Sequence, residues 1–227
     1  MTTAPFNDPA AIARYAEGPM RNVPGYSSLL AMSRILLAER VPEHGRVLVV
    51  GAGGGLKLEL EEFAKNHSGW SFDGVDPSAA MLDLAARRLA SEAPRVTLHQ
   101  GYIQDAPAGP FDGATCLLTS HFVPEAQRLP MAVEIRQRLR PGSPFVSAHL
   151  SLPSDTAARE LWMSRYAAFL MASGVAAQQA QAARLKILQE LPILSPEQDE
   201  AILHQAGFSQ VQLFYVGFTF RGWLAYA

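Results

Sequence analysis

The sequence predicts an α/β domain: a doubly wound sheet of seven strands, mostly parallel with an antiparallel C-terminal strand, plus a helical insertion. Three observations carry that expectation. Five short apolar or β-branched runs alternate with helical patterns between residues 46 and 150. The first run ends in a glycine cluster that opens a helix. The alternation then gives way to an almost wholly helical stretch, Ser154 to Leu191, before two closing strands.

Ala10 to Tyr15 and Tyr26 to Glu39 read as helices, separated by the breakers Gly18, Pro19, Pro24 and Gly25. Arg46 to Val50 is the first strand. Leu56 to Asn66 is helical, with Leu56, Leu60 and Phe63 on one face. Trp70 to Val75 is the second strand, closed by Asp76 and Pro77. A helix follows from Ser78 to about Ser91, its apolar stripe including Met81, Leu82, Leu84 and Leu89. Val96 to Gln100 and Phe111 to Leu118 are the third and fourth strands. Glu125 to Leu139 is a helix stopped by Pro141-Gly142, and Phe145 to Leu150 is the fifth strand. In the insertion, broken at Gly174, Trp162, Tyr166, Phe169 and Leu170 form a stripe that reads first as core or interface. Pro196 to Gln205 is a helix capped by Gly207, and Val211 to Val216 and Phe218 to Tyr226 close the sheet. The 227 residues therefore read as one domain, 1–227. Residues 1–44 form an N-terminal helical segment, and the insertion at 151–195 is a lid or a dimer element.

Composition narrows the function. Hydrophobic residues make up 48% of the chain, enough for a sizeable core, yet no run is long enough to cross a bilayer. Met1 to Pro9 lacks the pattern of a secretory signal. Cys116 is the one cysteine, so an intramolecular disulfide is impossible and a cytoplasmic location is expected. The six histidines show no close pairing with carboxylates in sequence, and no metal site is expected. Net charge is −2, whereas phosphate-backbone binding wants a basic excess. Two basic clusters, Arg87-Arg88 and Arg136/Arg138/Arg140, read as solvated helix faces.

The sharpest motif is Val47-Leu48-Val49-Val50-Gly51-Ala52-Gly53-Gly54-Gly55. Glycines let the backbone turn tightly and let a ligand approach it, and the next helix offers unpaired N–H groups. A dinucleotide loop would place Gly or Ala where Leu56 stands. The Gly51-x-Gly53-x-Gly55 spacing suits a cofactor without a pyrophosphate, which leaves a nicotinamide dehydrogenase as a remote reading. Asp76 ends the next strand, about 20 residues on, where a carboxylate can accept from both ribose hydroxyls. The plain alternative is an ordinary strand–helix turn with Asp76 as a helix cap.

This arrangement resembles the class I S-adenosylmethionine (SAM)-dependent methyltransferases, which have a Rossmann-like sheet. Gly101-Tyr102-Ile103-Gln104-Asp105 stands where that family often has Gly-Asp-x-x-Asp, and Leu139-Arg140-Pro141-Gly142 resembles its Leu-x-Pro-Gly. A narrower resemblance runs almost end to end. Val23-Pro24-Gly25-Tyr26-Ser27, the insertion and Leu203-His204-Gln205-Ala206-Gly207-Phe208 are similar to the bacterial tRNA uridine-5-oxyacetic acid carboxymethyltransferase (CmoA) family. That resemblance implies carboxy-SAM as cofactor and tRNA as partner. It places cofactor contacts on Tyr26, Gly51, Ala52, Gly53, Asp76, Pro77, Tyr102, Ile103 and Leu117, with Arg184 gripping the extra carboxylate; the glycine loop adds Gly55 to the expected cofactor-binding residues. The chain departs from the pattern at Val49, Tyr102 and Leu117, where acidic or polar residues are expected.

The strand-four end presents Thr119, Ser120, His121 and Phe122 at the ligand edge. His121 is the candidate general base for a hydroxyl or amine acceptor, its alternative being a capping or packing role. The leading expectation is methyl transfer from SAM to a small-molecule acceptor by a cytoplasmic homodimer. Carboxymethyl or methyl transfer to tRNA ranks second. A non-catalytic SAM-binding regulatory protein ranks third. No membrane partner is expected.

Overall fold

A computed structural model describes residues 18–53, 59, 63, 66–89 and 94–227. The expected helix at Ala10 to Tyr15, most of the helix at Leu56 to Asn66, and Gly54, Gly55 and Leu56 lie outside the described residues. Helix α1 (Gly18–Asn22) and α2 (Tyr26–Ala38) precede strand β1 (Arg46–Val50) and β2 (Ser71–Asp76). Helix α3 (Ala79–Arg88), β3 (Val96–Gln100), β4 (Gly113–Leu117), α4 (Glu125–Gln137) and β5 (Pro144–Leu150) follow. The helical insertion is a hairpin of α5 (Thr156–Ala172) and α6 (Ala177–Glu190). Helix α7 (Pro196–Gln205), β6 (Ser209–Gly217) and β7 (Phe220–Tyr226) end the chain.

The seven strands lie in the order β3-β2-β1-β4-β5-β7-β6. All neighbouring pairs from β3 to β5 are parallel, and β7 runs antiparallel to both β5 and β6. The strand order therefore reverses between β1 and β4, which opens a crevice at their carboxyl ends. Alternation along β1 makes the two layers. Val47 and Val49 point into one apolar cluster with Leu29, Leu37 and Tyr166, while Leu48 and Val50 point into another with Ile135, Leu203 and Trp223.

Local signals set the element ends. Ser78 caps α3 by accepting from Met81 N–H at 3.2 Å. Ser195 and Gln198 form a reciprocal capping box on α7, with Pro196 at its first turn. The insertion breaks at Gly174, which stands at φ 88°. Tyr166 and Leu170 of the insertion stripe are buried, and Trp162 and Phe169 pack against the same cluster, so the stripe is core. The Tyr166 hydroxyl donates to the Asn22 carbonyl at 3.0 Å, tying the insertion to the α1–α2 link.

Two expectations need correction. Arg136 and Arg138 are not a solvated helix face. Arg136 donates to the Gly207 carbonyl at 2.7 Å, and Arg138 bonds Glu134 with its side chain only 11% exposed. Arg140, beyond the helix, pairs with Asp112 at 2.9 Å. The histidines do meet carboxylates: His99 lies 2.8 Å from Asp73 and His149 lies 3.1 Å from Asp199. Both pairs join residues far apart in sequence, so no local spacing announces them. Among the described residues no three His, Cys, Asp or Glu side chains group as metal ligands. No described helix is long and apolar enough to cross a membrane.

Candidate active site

The crevice is built from the loops after β1, β2, β3 and β4. After Val50 the chain turns through Gly51 at φ 80°, a left-handed value that costs an L side chain about 1–2 kcal/mol. A Cβ at Gly51 would stand 2.0 Å from Thr119 Oγ1, so the β1 and β4 loops touch here. The Gly51 and Ala52 amides both donate to the Val75 carbonyl, at 2.9 and 3.0 Å, stitching the loop to the end of β2.

Asp76 is the hinge of the constellation. Its Oδ2 accepts from Gly53 N–H and its Oδ1 from Ser78 N–H, each at 2.9 Å. Because Ser78 caps α3, the Asp76 side chain is not the helix cap. A carboxylate has about four lone-pair positions, so two remain for a ligand. Burial raises the Asp76 pKa, and the two backbone donors oppose that rise. The Gly101 amide donates to the Asp76 carbonyl at 3.0 Å, which draws the β3 loop alongside. Asp105 accepts from Tyr102 N–H at 2.8 Å and closes that turn, leaving the Tyr102 side chain 44% exposed at its rim.

On the β4 side Leu118 stands at φ 57°, a strained value for a branched side chain and one that recurs where backbone is held for function. Thr119 donates to the Leu117 carbonyl at 3.1 Å, and Ser120–Phe122 forms a short 3-10 turn. His121 is buried, and its Nδ1 accepts from Leu150 N–H at 3.3 Å. Burial holds its pKa well below the usual histidine value, helped by nearby His149 and Arg128. The neutral ring then carries its proton on Nε2, which makes it a donor rather than a base. Cys116 is buried in β4 with its thiol pushed up to about 11 by burial, too high for a nucleophile.

The residues present fit an adenosyl cofactor. A Cβ at Gly53 would meet Asp76 Oδ2 and the Met81 side chain, both at 2.9 Å, so the bare backbone leaves the carboxylate approachable. The methyltransferase domain family matches residues 47–142, the span from β1 to the end of α4 and its following turn. Residues 47–142 thus resemble a methyltransferase domain. The chain is 27% identical over 207 residues to the carboxy-S-adenosyl-L-methionine synthase of Citrobacter koseri, covering 90% of this chain and 84% of that one. It resembles a protein described as an O-methyltransferase from Nostoc punctiforme, with TM-score 0.68 and 19% identity over 96% of this chain. It also resembles human N-acetylserotonin methyltransferase in complex with SAM, with TM-score 0.64 and 14% identity over 99% of this chain. The chain spans 60% and 58% of those two structures' lengths, and at such identities they show the fold alone. The relative from Citrobacter is named for making carboxy-SAM, a different activity from the tRNA carboxymethyl transfer expected of the narrower resemblance.

The structure brings Gly51, Ala52, Gly53, Asp76 and Pro77 together at the crevice between β1 and β4, with Tyr102 and Ile103 on the neighbouring turn. Ile103 and Leu117 are buried apolar side chains, and Tyr26 is buried at the start of α2. Gly55 lies outside the described residues. Arg184 sits on α6, where its guanidinium pairs with Glu160 of α5 and bonds Gln181 at 3.4 Å. Sequence reading missed three buried charged residues around the site: Glu59, Arg128 and Asp199. Each had a signal. Arg128, Ala132 and Ile135 are the buried positions of α4 at helical spacing, and Asp199 and Leu203 are those of α7. A charge in register with a buried stripe must be paired, and here it is.

Proposed function

We propose that the chain transfers a methyl group from SAM to a small-molecule acceptor. The observation that carries this reading is the Asp76 carboxylate, fixed by the Gly53 and Ser78 amides with lone pairs left for the ribose hydroxyls. SAM supplies an electrophilic methyl group on a sulfonium that is already a good leaving group. The protein's part is then to bind, orient and exclude water. The glycine loop holds the cofactor's amino-acid tail against bare backbone, and Tyr102 and Ile103 flank the adenine. The β4 turn at Thr119 to Phe122 lines the acceptor side, with His121 as a donor that orients the acceptor.

A small acceptor is favoured over tRNA by what the arginines do. Arg40 donates to the Gly142 carbonyl, Arg95 to the His67 and Trp70 carbonyls, Arg136 to the Gly207 carbonyl, and Arg140 pairs with Asp112. These cations are committed to the fold, and the net charge is −2. Calorimetry with SAM and S-adenosylhomocysteine tests the cofactor assignment. Asp76→Ala should weaken S-adenosylhomocysteine binding by about 2 kcal/mol, because it removes charge-assisted hydrogen bonds. Binding of NAD with no adenosyl ligand would end the reading.

A second reading is supported by the carboxy-SAM synthase relatives, whose likeness extends through the insertion. In that reading Arg184 pairs with the carboxylate of carboxy-SAM through its planar fork. Glu160 already neutralises that guanidinium, so a ligand carboxylate has to displace it. SAM is therefore expected to bind at least as tightly as carboxy-SAM, with Arg184→Ala changing SAM affinity less than about threefold. A clear preference for carboxy-SAM that Arg184→Ala abolishes would put the second reading first.

A further inference from the structure

Arg128 is a buried cation that the methyl-transfer chemistry does not use. Its side chain is 3% exposed, and it serves three separate segments at once. Nε donates to the Val123 carbonyl at 3.1 Å, at the end of the β4 turn. One terminal nitrogen donates to Asp199 Oδ1 of α7 at 3.0 Å. The other donates to the Pro192 carbonyl, in the link from the insertion to α7. No single hydrogen-bonded helix or strand could join these three places, and a guanidinium reaches them because its donors are spread over three nitrogens of a planar fork, where an ammonium has one.

The surroundings are built for this pairing. Asp199 is 4% exposed and its Oδ2 has no hydrogen-bond partner. The His149 ring stands 3.1 Å from Asp199 Oδ1, out of line for a hydrogen bond. Ser120, from the β4 turn itself, lines a small cavity together with Arg128, His149 and Asp199. Its water-sized space of about 30 Å³ can hold one or two bridging waters. The far end of the same turn is Thr119, which packs on Gly51 of the glycine loop. A continuous chain of contacts thus runs from α7 through Arg128 and the β4 turn to the cofactor loop.

We propose that the Arg128–Asp199 pair is a positioning device that sets the Thr119–Val123 turn against the glycine loop, and thereby sets cofactor affinity without touching the cofactor. The proposal rests on SAM binding at the Gly51–Asp76 crevice. A buried ion pair is a poor source of net stability, since apolar residues of similar volume often replace it without loss. Its retention here is explained by geometry: it fixes where a turn with a strained Leu118 comes to rest.

The test measures S-adenosylhomocysteine affinity by calorimetry and Tm by scanning calorimetry on the full chain. Arg128→Met alone leaves Asp199 buried and uncompensated, and is expected to lower Tm or fail to fold. The double variant Arg128→Met/Asp199→Leu removes both charges and is expected to fold with a Tm near that of the parent. Its dissociation constant for S-adenosylhomocysteine should rise roughly 5- to 30-fold. Arg128→Lys keeps the charge but not the three-way fork, and should recover Tm more than affinity. Arg159→Met is the control, because Arg159 bonds the Pro153 and Ile193 carbonyls at the base of the insertion and not the β4 turn. It should lower Tm and leave affinity unchanged. Parent affinity in the folded double variant overturns the proposal, as does an equal loss in Arg159→Met. Absence of binding in the parent chain would instead refute the cofactor reading.

Discussion

Gly51→Ala is expected to destabilise the chain by about 3 kcal/mol and to weaken S-adenosylhomocysteine binding at least tenfold. Two costs add. The left-handed backbone at φ 80° penalises any Cβ, and the new methyl would stand 2.0 Å from Thr119 Oγ1. Thr119 cannot simply rotate away at no cost, because its hydroxyl donates to the Leu117 carbonyl beside the strained Leu118. The β4 turn must therefore shift, and the amides that bind Val75 shift with Gly51. Thermal unfolding and calorimetry on the same preparation check both parts. A variant with parental Tm and parental affinity would show that the β1 and β4 loops are not in the contact described.

Glu59→Gln is expected to stabilise the protein above neutral pH and to do little in acid. Glu59 is buried against β4, where Thr115 Oγ1 donates to its Oε1 at 2.5 Å. Burial raises its pKa to about 7, against the hydrogen bond from Thr115, which lowers it. A carboxyl whose folded pKa exceeds its unfolded value of 4.5 holds its proton more tightly when folded. The associated stability is complete below 4.5, falls as pH rises toward 7, and is gone above it. The raised value corresponds to about 3 kcal/mol, which for a chain of this size is roughly 6–10 °C in Tm. Glutamine keeps the shape and never ionises. The Tm gap between variant and parent should therefore open between pH 5 and 8, in favour of the variant. A gap that is the same at both pH values would rule out a proton on Glu59. The sign is opposite for His121, whose lowered pKa makes stability fall as pH drops below the usual histidine value.

Regular features were legible because they are local. The five alternating strands, the Ser78 start of α3, the Gly174 break and the Gly207 stop after α7 all follow from spacing, turn chemistry and side-chain period. Asp76 was legible for the same reason, since a strand end fixes its place relative to the glycine loop. Arg136 and Arg140 were misread because their partners are distant in sequence. Arg136 meets Gly207 and Arg140 meets Asp112, and a helix wheel sees neither. His121 was correctly placed at the end of β4. Its hydrogen bond from Leu150, however, depends on how β5 lies beside β4, and that bond decides which ring nitrogen carries the proton.

The sequence by itself determined the strands and their alternation with helices, the glycine turn and the acid beside it, because backbone sterics and periodicity act over a few residues. Tertiary structure alone decided which charges are paired, buried or raised in pKa: Arg128 with Asp199, Glu59 under Thr115, Arg184 against Glu160. The physical reason is that desolvation and ion pairing depend on what lies across a packed interface, and the interface exists only after the strands and helices have assembled.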